Sequence, residues 1–337
     1  MSSLLRVLPI MAIVATTTAL PASADDGDPR VYLRLTEGMP AAVDEVADRL
    51  VAALVEADWN VVAEFPCGVP EDKCSCGARV IVAYTDAHRD RLLAYGNHAA
   101  YALPTRFVVY EDEFGAGIGA TNPMNLFRTI VDEDTEPEAW SDMAEEIRAV
   151  TASAFPEHAI IREYGQDRGK ARIGRTFGIM AGGPFVEKFK NVVTEDAAGR
   201  SALEIAEQIA EGLPGVEGDW EWGIRPVYLI DLPQNDMALV GVTGLHMEAR
   251  SFDIVKHGGD GARDDLACPG LDHAAAYPIS VAVQIVDGEL KVELVDVMFR
   301  MKMYFENAGK MAFAKNMGMP GSIEDEIKDK IRAVLQP

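Results

Sequence analysis

Asn97-His98-Ala99-Ala100-Tyr101-Ala102-Leu103-Pro104-Thr105-Arg106-Phe107-Val108-Val109-Tyr110-Glu111-Asp112 is a tract of small residues that passes through a proline into an apolar strand. It has an echo far downstream, Asp272-His273-Ala274-Ala275-Ala276-Tyr277-Pro278-Ile279-Ser280-Val281-Ala282-Val283. Both places join a His-Ala-Ala tract and a Tyr to a Pro and then to a strand. Sliding Pro104 onto Pro278 also carries Met124 onto Met298 without a gap. The chain therefore reads as a tandem repeat.

Outward from the first tract the elements fall in a regular order. Arg30 to Leu35 alternates as a strand does, and Val43, Val46, Ala47, Leu50, Val51 and Leu54 recur at the steps of an amphipathic helix. Trp59 to Phe65 and Ala78 to Tyr84 read as strands, with a short helix from Asp86 to Leu93 between the second of these and Gly96. Arg106 to Glu111 and Gly115 to Thr121 follow as a hairpin, and Ser141 to Phe155 as a helix. Hairpins alongside helices predict an α+β fold, with helices packed on one face of an antiparallel sheet. The first domain spans 25–155, and the mixed, glycine-bearing residues 156–175 read as a connection.

A second, degenerate copy is expected over 176–337. Ser201 caps a helix through Ala210, Trp220 to Ile230 and Met237 to Thr243 read as strands, and Ala249 to Val255 corresponds to the Ala78 strand. Asp287-Gly288 between two apolar runs is a strong hairpin signal. Glu324 to Leu335 closes the chain as a helix, and its Ile331-Arg332-Ala333-Val334 repeats Ile147-Arg148-Ala149-Val150.

The first copy resembles the domain-of-unknown-function 302 family. The resemblance is carried by the amphipathic helix and its strand, the Ala-rich tract before Leu103-Pro104-Thr105-Arg106, the strand Phe107 to Tyr110, the Glu111-Asp112 turn with Gly115, and Asn122-Pro123. It extends more weakly to the second copy, where Ser280 replaces Arg106 and Val297 replaces Pro123. The resemblance implies a curved antiparallel sheet gripping helices, similar to the TATA-box-binding-protein-like architecture, and no assigned chemistry. The cysteine cluster departs from the family's pattern.

The N-terminus carries an address. Arg6, the apolar run Val7 to Leu20 and Ala22-Ser23-Ala24 predict a secretory signal peptide over 1–24, and a periplasmic or secreted protein with no membrane span after cleavage. The formal charge of −23 comes from 54 acidic against 31 basic residues. Such a surface repels nucleic acid and anionic lipid, and suits a cation, a basic partner or a saline habitat.

In an oxidising compartment Cys67, Cys74, Cys76 and Cys268 are disulfide candidates. A bridge from Cys67 to Cys74 or Cys76 would staple the Gly/Pro loop between them, and the remaining thiol would pair with Cys268 or stay free. The same Cys67, Cys74 and Cys76, with Met298, Met301 and Met303, are the candidates for a soft metal such as copper. In the alternation of Met301-Lys302-Met303 two sulfurs share one side of an extended chain, while the aromatic residues around them read as core. His98, Tyr101, Arg106, His273 and Tyr277 are the ligand-binding candidates. No nucleophile elbow, phosphate loop, paired-histidine zinc helix or haem motif occurs. The sequence therefore favours a non-enzymatic binding protein for a small molecule or cation. The alternatives are a thiol-redox protein or enzyme built on the cysteine cluster, and a structural or interaction module.

Overall fold

Strand alternation builds the first half of the molecule. The computed structural model describes residues 29–73, 75–131, 137–167, 183–255, 265–268, 270–305 and 310–336. The expected signal peptide, Cys74 and residues 168–175 lie outside the described residues. β1 (Arg30–Met39), β2 (Asn60–Pro66), β3 (Ala78–Tyr84), β4 (Thr105–Asp112), β5 (Gly115–Thr121) and β6 (Ala159–Asp167) form an antiparallel sheet in the order β2-β3-β4-β5-β1-β6. Leu33, Leu35, Ile81, Ala83, Phe107, Val109 and Ile118 point to one face. There they bury the apolar stripes of α1 (Val43–Glu56) and α4 (Pro137–Ala154), Val46, Leu50 and Ile147 among them. Their alternating neighbours Val80, Val82, Val108 and Tyr110 belong to a different core, on the other face.

The second half repeats this order. β7 (Phe189–Asp196), β8 (Arg225–Leu232), β9 (Met237–Thr243), β10 (Ile279–Val286) and β11 (Glu289–Val295) pair antiparallel in the order β7-β11-β10-β9-β8. With β6 set aside, that is the order of the first sheet. α5 (Ala202–Gly212) starts at Ser201 with a capping box and packs Ile205 and Ile209 with Ile323, Ile327 and Ile331 of α9 (Met319–Leu335). The shorter α2 (Asp86–Leu93), α3 (Pro123–Ile130), α6 (Leu245–Ile254), α7 (Val297–Phe305) and α8 (Lys310–Lys315) complete the helices described. Asn122 caps α3 through the Met124 amide, and Asp296, at the same place in the second half, caps α7 through the Phe299 amide.

Each half lends the other a short 3₁₀ helix. Asn97–Ala102 reaches the second sheet, where Tyr101 donates to the Glu293 carbonyl at 3.1 Å and Asn97 to Gln284 at 3.0 Å. Leu271–Ala276 lies across β3, β4 and β5. These two helices are the His-Ala-Ala tracts, so the echo in the sequence marks the seam between the halves.

Several expectations are corrected here. Residues 159–167 are no connection but the edge strand β6, held to β1, and β7 had no forecast at all. Both are strands rich in charge, with weak alternation. Ala249 to Val255 falls mostly in α6, because Met247, Glu248, Ser251 and Phe252 share one buried helical face; β9 takes the place of the Ala78 strand. Met301-Lys302-Met303 is helical rather than extended, and all three side chains are buried. Asp287 and Gly288 have φ of 54° and 83°, the left-handed pair that a two-residue hairpin requires. No helix among the described residues is long and apolar enough to cross a membrane.

Gly117 makes room for the seam: a Cβ there would stand 2.6 Å from the Tyr110 hydroxyl. That hydroxyl accepts from Arg34 at 2.7 Å, so the ring cannot swing away without breaking a buried bond. Gly117→Ala is expected to destabilise the fold by about 1–3 kcal/mol in urea unfolding. An unchanged midpoint would mean that the ring has slack.

Candidate functional site

Polar side chains are rare in an apolar seam unless something pairs them, yet this seam holds a chain of them. Arg34 on β1 donates to Asp272 at 2.8 Å, and both side chains are fully buried. The second Asp272 oxygen meets His273 Nδ1 at 2.9 Å, and the Tyr164 hydroxyl donates to the Asp272 carbonyl at 2.5 Å. Burial pulls the Arg34 guanidinium down, but Tyr110, Asp272 and Tyr164 more than offset this and hold it above its ordinary value.

Beside this pair lies a cavity of about 10 Å³, room for one water-sized sphere, lined by Tyr101 and Arg106 of the first half and by Ser280, Arg300, Met303 and Tyr304 of the second. Arg106 donates to the Tyr304 hydroxyl, while its Nε has no partner. Arg300 donates to the carbonyls of Ala276 and, at 2.8 Å, Pro278. Both guanidinium carbons stand 5.0 Å from the centre of the Tyr304 ring. Among the described residues no carboxylate pairs with either arginine. Burial, with the positive charge of Arg106, brings Arg300 down to about 10 against the pull of Tyr304. Burial also pushes the Tyr101 and Tyr228 hydroxyls up, so they stay neutral and leave the charge unbalanced.

Residues 36–154 match the family model of DUF302, a domain of unknown function. The crystal structure of an uncharacterized conserved DUF302 protein from Bacillus stearothermophilus is also similar, at 18% identity and a TM-score of 0.29, over 37% of this chain and 96% of that one. No curated protein matches.

The residues that match DUF302 include Tyr101 and Arg106 of the cavity, while Arg34 lies just before them. Of the other ligand candidates, His98 is half-buried on the 3₁₀ helix of Tyr101 but does not line the cavity. The slide that superposes the two prolines puts Asp272, not His273, opposite His98. His273 is locked beside Asp272 among the rings of Tyr32, Tyr164 and Phe305. Tyr277 meets Ser251 at 2.6 Å, and burial lifts its hydroxyl to about 12.

The cysteine loop, within the matched residues, is a clamp between the halves. Cys76 is bridged to Cys268, one of the expected partners for a loop cysteine, whereas Cys67 is a free thiol and makes no local staple. Cys67 follows β2 directly and is a buried free thiol pushed well up by burial and by Glu248. Cys76 therefore has no thiolate for a metal, Met301 and Met303 are core residues, and Met298 is half-buried. Among the described residues no three His, Cys, Asp or Glu side chains are grouped to hold a metal ion.

Sequence reading missed Arg34, Asp272, Glu248 and Arg300. Glu248 is fully buried on α6, accepting from the Gly68 amide at 2.6 Å and from Thr243. The Gly68 backbone comes so close to α6 that a Cβ there would fall 1.9 Å from the Leu245 carbonyl. Burial raises the Glu248 carboxyl to about 7. A carboxyl raised on folding binds its proton more tightly in the native state, so its contribution is favourable at low pH. It is lost as pH rises from the unfolded value of about 4.3 through the folded one. Glu248→Gln is therefore expected to flatten the pH dependence, gaining about 3 kcal/mol relative to the parent between pH 4.5 and 8 in urea unfolding. Parallel profiles for the two proteins would show that Glu248 ionises freely.

Proposed function

We propose that this is an exported binding protein in which the second half is a copy of the DUF302 domain and a small ligand sits between the two. Export rests on the Arg6, Val7 to Leu20 and Ala22-Ser23-Ala24 pattern. The copy rests on the shared order of elements, the shared strand order and the two 3₁₀ helices at corresponding places. One observation carries the ligand: Arg106 and Arg300 come from opposite halves to one small cavity with a donor left over. Neither half would form that cavity alone.

A thermal-shift screen of the full chain tests this reading, using neutral, cationic and anionic compounds no larger than acetate. At least one compound is expected to raise the melting temperature by about 2–5 °C and to lose the effect in Arg106→Met. A panel in which nothing moves the wild type, or moves both proteins alike, would sink the reading.

A further inference from the structure

We infer that the cavity between Arg106 and Arg300 is a binding site for a monovalent anion of halide size, chloride in an exported protein. The inference rests on the reading above, of which it names the ligand class.

The argument is a balance of charge and of donors. Two guanidiniums share a site from which water is largely excluded, and a buried charge left unpaired is costly. Arg34 has Asp272. Among the described residues Arg106 and Arg300 have the Tyr304 hydroxyl and ring face, the Tyr277 ring face, and the carbonyls of Ala276 and Pro278. Those partners soften two positive charges without neutralising either. An anion would neutralise one.

The donors are in place. Arg106 Nε is buried with nothing to bond. Tyr304 accepts from Arg106 and so keeps its own hydrogen for the cavity. Tyr228 and Ser280 stand 2.8 Å apart, and Tyr228 donating to Ser280 frees the serine hydrogen in the same way. The acceptors in the wall are neutral hydroxyls and a thioether, and no carboxylate is among the lining residues.

Size and charge follow from the surroundings. The space is that of one water molecule, so a halide fits with small adjustment and a phosphate or sulfate does not. The chain's own charge of −23 also weighs more heavily against a dianion than a monoanion. The offset that carries Pro104 onto Pro278 carries Arg106 onto Ser280 and Ile130 onto Tyr304, and all four line the cavity. Corresponding positions of the two halves thus meet here with different residues, so the site belongs to the pair of halves.

The test holds sodium constant and exchanges gluconate, too large for the cavity, for chloride or bromide while the full chain is melted. Wild type is expected to be stabilised by either halide, and crystals grown in bromide to show an anomalous peak between Arg106 and Arg300. Arg106→Met is expected to weaken the halide midpoint about tenfold or more, as loss of a charge-assisted bond does. Ser280→Asp places a carboxylate beside the arginines and is expected to fold and to melt independently of halide, so the test survives if Arg106→Met does not fold. A wild type indifferent to halide, without a bromide peak, overturns the inference. If a neutral or cationic compound still stabilises wild type but not Arg106→Met, the binding reading stands without the anion; if no compound does, both fall.

Discussion

The Arg34–Asp272 pair fixes how the two halves meet. Each partner comes from a different half, and each is wholly removed from water. Such a pair stabilises little in net terms, because desolvation consumes most of the attraction, but losing one partner leaves a bare charge in the interior at about 3–5 kcal/mol. The bond is consequently a condition on register. Asp272 reaches Arg34 only when the 3₁₀ helix Leu271–Ala276 lies over β3 to β5, and that placement also brings His273 to Tyr32 and Tyr164 to the Asp272 carbonyl. A slip of one residue would strand both charges.

The loop 67–76 makes the same junction from outside. Gly68 reaches Glu248, Lys73 reaches Asp253 and Cys76 is bridged to Cys268. The bridge closes a long stretch of chain, which in the chain-entropy account restricts the unfolded state more than a local staple would. Lys73–Asp253 is partly exposed and adds little by itself. The loop that looked like a self-contained motif in sequence is therefore an arm of the first half fastened to the second.

How much of this was legible follows from where the information sits. β3 and β5 were read to their ends, since Ala78–Tyr84 and Gly115–Thr121 are bounded apolar or small-residue runs with turn signals beside them. The DUF302 match over 36–154 agrees with the resemblance seen in the first half. Arg106 and Tyr101 stood out because they sit in the repeated tract. Arg300 did not. Inside Val297–Phe305 it looks, with Lys302, like a charge on the wet side of a Met-rich helix, and the distant carbonyls of Ala276 and Pro278 hold it as a buried one. Arg34 and Asp272 hid for the same reason: a charged residue in an alternating strand reads as solvent-facing until its partner arrives from far along the chain. α6 was lost because its run Ala249 to Val255 is too short for period alone to separate helix from strand.

Electrostatics at the proposed cavity runs against the cation that composition suits. A strongly acidic exterior suits cations at long range, and the methionines near the cavity would suit a soft one. At contact distance the argument reverses. Met303 lines the same small space as Arg106 and Arg300, so a copper ion beside that sulfur would meet two buried positive charges and no carboxylate. In a medium of low polarisability such repulsion outweighs a thioether bond, whereas the long-range attraction of the surface is damped within about 10 Å by ordinary salt. The sign of a buried site is set by its own walls, and here the walls are positive.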